Sequence, residues 1–466
     1  VTTRLRFAPA PTGFLHLGSA RTALFNWLYA RHTGGELILR IEDTNADLAR
    51  PELVDNILQS LEWLGLDWDG EPVRQSERTH LYLDAIETLL SGGAAYRCDC
   101  TREQLDARGG GQAHGYDGHC RDRARPDGEG VAVRFRVPES GVTGFDDIVR
   151  GRVEFSNVEL EDFVIRRGDG SATFIVANAV DDADLEMTHV VRGEDLLNPT
   201  PRILLVREAL GAGEPPVFAH LPLIVNEQRK KLSKRRDDVS LTSYRERGFL
   251  SEAMVNYLAL LGWGPPDDVE VRPLAEIVEL FELTDINPAA AAFDQKKLEA
   301  INGEYIRALP TRSFADAIAP FVAVEPWGAS VGVDELIDVA PLIQERTRVL
   351  DEAAPQLDFF FLDEPARDAA SWDKVMTTDD AVPILTAALD RLPSAEWTSE
   401  SLHALLLTIG ESRGLKLGKA QAPVRVALTG RTVGPPLFES MVAMGRDEVV
   451  ARVERAARDL GVPVSD

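Results

Sequence analysis

At 466 residues, 44% of them hydrophobic and 27% charged, the chain is long enough for several domains, each with a core of its own. Its net charge of -26 excludes a surface that is basic throughout, but association follows the local field, so a basic patch on an acidic whole leaves a polyanionic partner open. No apolar run approaches the roughly 20 residues of a membrane span, and the N-terminus lacks the charged, apolar, small-residue order of a signal peptide, so the expectation is a soluble, cytoplasmic protein.

In chain order, Leu5 to Ala8 reads as a short strand and APAPTGFLHLG as a Pro/Gly loop. A helix is predicted over 19–32, with Ser19 as its N-cap and Leu24, Trp27, Leu28 and Arg31 at i, i+3, i+4 and i+7. Gly34 and Gly35 end it, and ELILRI (36–41) follows as a buried strand. The start of the chain is therefore a β-α-β unit of the kind that builds parallel, doubly wound α/β sheets. From Cys98 the texture changes to a Gly-rich stretch, an alternating segment VAVRFRV (131–137) and a hairpin around GDG (168–170), which together predict an inserted α+β module. VFAHLPLIV (217–225) reads as one apolar strand leading into a basic segment, and beyond Arg312 the pattern is amphipathic helix to the end.

Two stretches carry chemistry. His16 and Gly18 close a strand-loop-helix turn, where free N–H groups and the positive end of the helix dipole attract phosphate. The basic segment RKKLSKRR (229–236) holds 3 of the chain's 8 lysines, and none precedes Lys230. Lys231 and Lys234 are compact charges on flexible stems, able to follow a pyrophosphate as charge moves onto it. The bland alternatives are a surface histidine and a solvated basic loop. The 3 cysteines, Cys98, Cys100 and Cys120, are odd in number and close together, which suits a metal clip better than a disulfide framework.

APAPTGFLHLGSARTALFNWLYAR, LRIEDTN, VRGEDLL and KLSKR, followed by LEAINGEYIRAL, LKLGKAQAPVRVALTG and PPLFESMVAMGRDEV, resemble the class I aminoacyl-tRNA synthetases, and within them the bacterial glutamyl-tRNA synthetases. The resemblance implies a Rossmann-like catalytic domain (1–97 and 178–228) interrupted by an acceptor-stem-binding insertion (98–177). A KLSKR loop with a stem-contact region (229–311) and an all-α anticodon-binding half (312–466) follow. It implies a ligase that activates glutamate with Mg-ATP to glutamyl-adenylate and then moves the acyl group to tRNA-Glu, acting as a monomer. Positioning and charge stabilisation do the work, with no side-chain nucleophile.

Residue by residue, the resemblance assigns His16, Gly18, Lys231 and Lys234 to catalysis, and these with Asp195, Ser233 and Arg235 to ATP. Arg6, Ala10, Glu42, Phe174, Asn178 and Arg192 would form the glutamate site, its arginines taking the carboxylates and Glu42 the ammonium. Ser19, Ala10 and Phe174 depart from the histidine, serine and tyrosine common in relatives, the last two removing a hydroxyl from the pocket. The resemblance also gives Cys98, Cys100, Tyr116 and Cys120 as a zinc site, with His114 or His119 as alternative fourth ligands, and Arg346 as the reader of the last anticodon base. A small-molecule adenylyltransferase shares the H-x-G turn but has no use for the second basic loop or a helical half. An enzyme that also charges tRNA-Gln is the alternative within the family.

Overall fold

The β-α-β unit forms from its sequence pattern: β1 (Arg4–Phe7) and β2 (Glu36–Ile41) are parallel, paired from Arg4↔Glu36 to Phe7↔Leu39, and α1 (Leu17–His32) connects them. The computed structural model describes residues 2–44, 50–108, 116–232 and 240–462. They divide into two units, Val1–Glu246 with Ser251–Leu298, and Arg247–Leu250 with Glu299–Asp466. Helix α1 begins ahead of the expected Ser19 because His16 is the N-cap, its ring accepting the Ser19 N–H. Leu17, Leu24, Phe25 and Leu28 are all fully buried, as a helix packed on more than one side requires.

The first unit continues through α2 (Pro51–Trp63), β3 (Val73–Arg74), α3 (Thr79–Ser91), β4 (Ala95–Cys98) and α4 (Arg102–Ala107). The inserted stretch then gives β5 (Ala132–Phe135), β6 (Val142–Asp147), β7 (Gly151–Ser156), α5 (Asn157–Leu160) and β8 (Val164–Arg166). Strands β4, β5 and β8 make an antiparallel sheet of their own. The turn at GDG is present: Arg166 bridges Ala172, and Gly170 takes φ +88°.

The chain returns through α6 (Phe174–Asp184), β9 (His189–Gly193), α7 (Thr200–Ala209) and β10 (Val217–Leu221). The second sheet runs β7-β6-β10-β9, with β10 parallel to both β6 and β9. A backbone bond from Thr188 N to Arg4 O, 3.0 Å, lays β9 beside β1. The carboxyl ends of β1, β6, β9 and β10 thus gather on one edge, where open α/β sheets bind ligands. VFAHLPLIV is not one strand. Pro222 has no N–H to extend β10, and β11 (Ile224–Val225) pairs instead with β12 (Ala291–Ala292).

In the second unit the elements assigned from Thr311 to Asp459 are all helical. One core gathers around Phe314, Ile318, Leu336 and Leu357, another around Ile384, Leu406, Val424 and Val453.

Candidate active site

The carboxyl edge of the first unit holds a cavity of about 520 Å³. Arg6, Ala10, His16, Gly18, Glu42, Phe174, Asn178, Arg192, Asp195 and Lys231 all line it. Ser233, Lys234 and Arg235 lie outside the described residues.

At the start of α1, the His16 Nδ1 accepts the Ser19 N–H at 3.2 Å and Nε2 sits 3.1 Å from Ser19 Oγ. An accepting Nδ1 leaves the proton of a neutral ring on Nε2. A Cβ at Gly18 would lie 3.2 Å from that ring, so the glycine is what lets the histidine fold back over the helix start. Gly193 is tighter still, since a Cβ there would meet Asp195 Oδ1 at 2.5 Å. Lys231 Nζ lies 3.4 Å from Asp195 Oδ2, with both side chains more than half exposed, an ion pair weak enough to exchange partners.

Below this is a buried charge network. Arg40, fully buried, donates from Nη1 to Asp182 (2.6 Å) and from Nη2 to Asn178 (2.8 Å) and Glu42 (3.3 Å). Asn178 Nδ2 donates on to Glu42 (3.0 Å) and to the Phe174 carbonyl (3.2 Å). Arg6 Nε donates to the same Asp182 oxygen at 3.2 Å. Burial pulls the Asp182 carboxyl up, but Arg40 and Arg6 outweigh it and bring the pKa down to about 2. Arg40 therefore sets two of the cavity's polar groups directly and a third through Asp182. Asp181, equally buried, is held by Gln75 (2.8 Å), Arg78 (2.8 Å) and the Tyr82 hydroxyl (2.9 Å).

Arg192 differs from Arg6 and Arg40. Its Nε donates to His220 Nε2 (3.1 Å) and its Nη2 to Thr200 Oγ1 (2.8 Å) and the Leu196 carbonyl (3.3 Å). Among the described residues no carboxylate lies at ion-pair distance from it. Burial, then the neighbouring Arg6 cation, push its pKa down to about 9, so at neutral pH it is a charged group 4% exposed with neutral partners only. Such a group calls for an anion.

The sequence alone does not single out Arg40, Asp182, Gly193 or the His220 partner of Arg192. Arg40 stands in LRIEDTN, Gly193 in VRGEDLL and Asp182 four positions after Asn178, close to residues that the resemblance assigns, so a local signal exists for each.

The three cysteine sulfurs lie within 4.8 Å of one another, Cys100 and Cys120 at 3.4 Å. Tyr116 Oη is 3.5 Å from Cys98 Sγ and accepts the Cys120 N–H at 2.8 Å. Tetrahedral zinc with sulfur ligands near 2.3 Å needs sulfurs about 3.8 Å apart, which this spacing brackets, so the donor set fits the metal. Burial raises the Cys98 thiol, but the Tyr116 hydroxyl and Arg134 bring it below its usual value, whereas burial raises Cys120 to about 11. The His119 side chain is not part of the cluster, and His114 lies outside the described residues.

In the second unit, Arg346 Nη1 donates to the Gly434 carbonyl at 2.6 Å, and Arg425 Nη1 to the Pro435 carbonyl at 2.8 Å. Two guanidinium groups thus hold one turn.

No helix among the described residues is long and apolar enough to cross a membrane. Residues 2–300 match the family described as tRNA synthetases class I (E and Q), catalytic domain, and 313–457 match an anticodon binding domain. The chain is 51% identical over 462 residues to a glutamate–tRNA ligase of Frankia casuarinae and 52% over 468 residues to one of Thermobifida fusca, covering 98% of each chain. A crystal structure of a glutamate–tRNA ligase from Elizabethkingia meningosepticum in complex with its amino acid superposes with a TM-score of 0.87 at 31% identity, over 99% of this chain and 100% of that one. The α/β catalytic fold with a helical C-terminal half, the motifs and these relatives agree, and the chain belongs to the glutamate–tRNA ligase family of class I tRNA synthetases.

Proposed function

We infer that the 520 Å³ cavity is where this chain joins glutamate to tRNA-Glu at the expense of ATP. The observation that carries the reading is Arg192, a buried cation without a carboxylate partner among the described residues, beside Arg6. Glutamate brings two carboxylates and one ammonium. Arg192 and Arg6 receive the former, Glu42 the latter, and Asn178 adds a hydrogen bond. With the amino acid so held, its α-carboxylate attacks the α-phosphorus of Mg-ATP, giving glutamyl-adenylate and pyrophosphate. The His16 Nε2–H and the start of α1 hold phosphate, and Lys231 leaves Asp195 for the departing pyrophosphate, with Lys234, Ser233 and Arg235 assigned to the same task by motif alone. The acyl group then passes to the terminal adenosine of the tRNA, and AMP leaves. A cytoplasmic, monomeric enzyme goes with this reading.

Charging tests it directly. Labelled glutamate should transfer to purified tRNA-Glu in the presence of ATP, and glutamate-dependent ATP–pyrophosphate exchange should appear only when tRNA is added. Robust exchange without tRNA would mean that the pocket is complete on its own.

Zinc, held by Cys98, Cys100, Cys120 and Tyr116, would staple the inserted stretch. Elemental analysis should find about one zinc per chain. A metal-free preparation with three freely titrating thiols would remove the clip.

Arg346 is assigned to the third anticodon base, where tRNA-Glu has C and tRNA-Gln has G. Its Nη1 is committed to Gly434, and its remaining N–H groups can meet the O2 and N3 acceptors of cytosine while opposing the guanine donors. Arg346→Gln should narrow the preference for tRNA-Glu over tRNA-Gln by roughly 5- to 100-fold, the scale of a bidentate base contact. Competitive charging with both tRNAs measures the ratio. A ratio that does not move, or equal charging by the parent enzyme, takes the role away from Arg346.

A further inference from the structure

We propose that His220, fixed by Asp147, is a positioning residue that aims Arg192 into the glutamate pocket without cancelling its charge; the proposal rests on the reading of Arg192 given above.

The argument is one of donors and acceptors. Asp147 Oδ1 accepts the backbone N–H groups of Val149 (3.0 Å) and Arg150 (2.9 Å), and the His220 N–H lies 3.1 Å from Oδ2. Oδ2 also meets the His220 ring at Nδ1, 2.6 Å away. A carboxylate surrounded by donors has no proton to give, so the ring carries its hydrogen on Nδ1 and keeps a lone pair on Nε2. That lone pair receives Arg192 Nε–H at 3.1 Å. Thr200 acts in the same sense: its hydroxyl proton goes to the Leu196 carbonyl at 2.8 Å, leaving Oγ1 to accept Arg192 Nη2 at 2.8 Å. One edge of the guanidinium is thereby docked on neutral acceptors, and Nη1 is left for the cavity.

A carboxylate in place of His220 would hold the arginine more strongly. It would also neutralise it, and the pocket would lose the charge that a second anion needs. A neutral imidazole supplies direction alone. The surroundings favour that state. His220 is fully buried, with the rings of Phe145 and Phe218 at 5.8 and 5.9 Å. The charged groups facing it are Asp147 from β6, Arg192 from β9 and Arg6 from β1, while Arg150 Nε donates to its backbone carbonyl at 3.3 Å. Burial lowers the pKa of the ring, Arg192 and Arg6 act in the same direction, and Asp147 opposes them.

The test uses the full-length enzyme and reads KM for glutamate, KM for ATP and kcat in tRNA charging, with thermal melting of each variant. Arg192→Ala is the control for the reading beneath the proposal. His220→Asn, whose amide is too short to reach Arg192, should raise KM for glutamate about 10- to 100-fold, the scale of a hydrogen bond to a charged group, and leave KM for ATP unchanged. His220→Gln, which can place its amide oxygen where Nε2 was, should restore KM to within about threefold.

Asp147→Asn is the sharper variant. Its Oδ1 must still serve the Val149 and Arg150 N–H groups and also takes the His220 N–H, 3.2 Å away, so its NH₂ faces the ring, forces the hydrogen onto Nε2 and sets donor against donor at Arg192. KM for glutamate should rise about 10-fold or more, and adding His220→Gln should reverse the rise, because an amide oxygen has no tautomer. A rise with Arg192→Ala but none with His220→Asn or Asp147→Asn overturns the proposal and leaves the reading of Arg192 standing. No rise with Arg192→Ala overturns that reading itself. If His220→Asn fails to fold, the comparison of Asp147→Asn with the double variant decides, and equal KM values in the two refute a role through the tautomer.

Discussion

Arg192→Ala should lower kcat/KM for glutamate by roughly a thousandfold, about 4 kcal/mol, with the ATP parameters nearly unchanged. The size follows from where the charge sits. Arg192 is 4% exposed, and Thr200, Leu196 and His220, its hydrogen-bonding partners, are neutral. A bound carboxylate would therefore form a desolvated charge pair, and truncating one side leaves the other carboxylate buried and unpaired. Arg6 cannot compensate, because it is assigned the other carboxylate and its Nε is engaged with Asp182 at 3.2 Å. Arg192→Lys should recover only part of the loss, since an ammonium keeps the charge but not the fork that docks on His220 and Thr200. Steady-state charging across a glutamate series measures this. A kcat/KM within threefold of the parent would move the carboxylate site elsewhere.

Arg40→Leu should cost about 3–5 kcal/mol of stability at pH 7, the scale for removing one partner of a buried ion pair. Asp182 would keep only Arg6, Asp181 would lose a cation 3.9 Å away, and Asn178 and Glu42 would lose their shared donor. The pH dependence identifies the cause. In the folded parent the Asp182 pKa is down to about 2, against roughly 3.9 unfolded, so its contribution is full above pH 4 and is lost as pH falls through about 2. Without Arg40 that carboxyl rises, and the buried group takes up a proton sooner. The stability gap between parent and variant should therefore close as pH falls from about 5 towards 2. Urea unfolding at several pH values reads it; a gap independent of pH would mean that packing, not charge, accounts for the loss.

Much of the site was legible because its signals are local. Strand-loop-helix order marks His16 and Gly18, a cluster of lysines marks Lys231, Glu42, Arg192 and Asp195 stand in motifs that the family carries, and Arg6 and Asn178 are positions that the resemblance assigns; all of these line one cavity. The helical C-terminal half follows from 3.6-residue periodicity repeated without interruption. The alternating and apolar runs mark strands, but not where Pro222 breaks one, since only the pairing of Ile224 with Ala291 reveals the change of partner. The N-cap likewise passed from Ser19 to His16 because the ring's fold over Gly18 is a matter of side-chain space.

What charged groups choose as partners was decided by the tertiary structure. Asp182 meets Arg40 across 142 positions and Arg6 across 176, and Asp147 meets His220 across 73 because β6 lies parallel to β10, pairing Asp147 with Phe218. Hydrophobic period and turn chemistry are written into neighbouring residues. The partner of a buried charge depends on strand order, and strand order is set by how the whole chain satisfies its core.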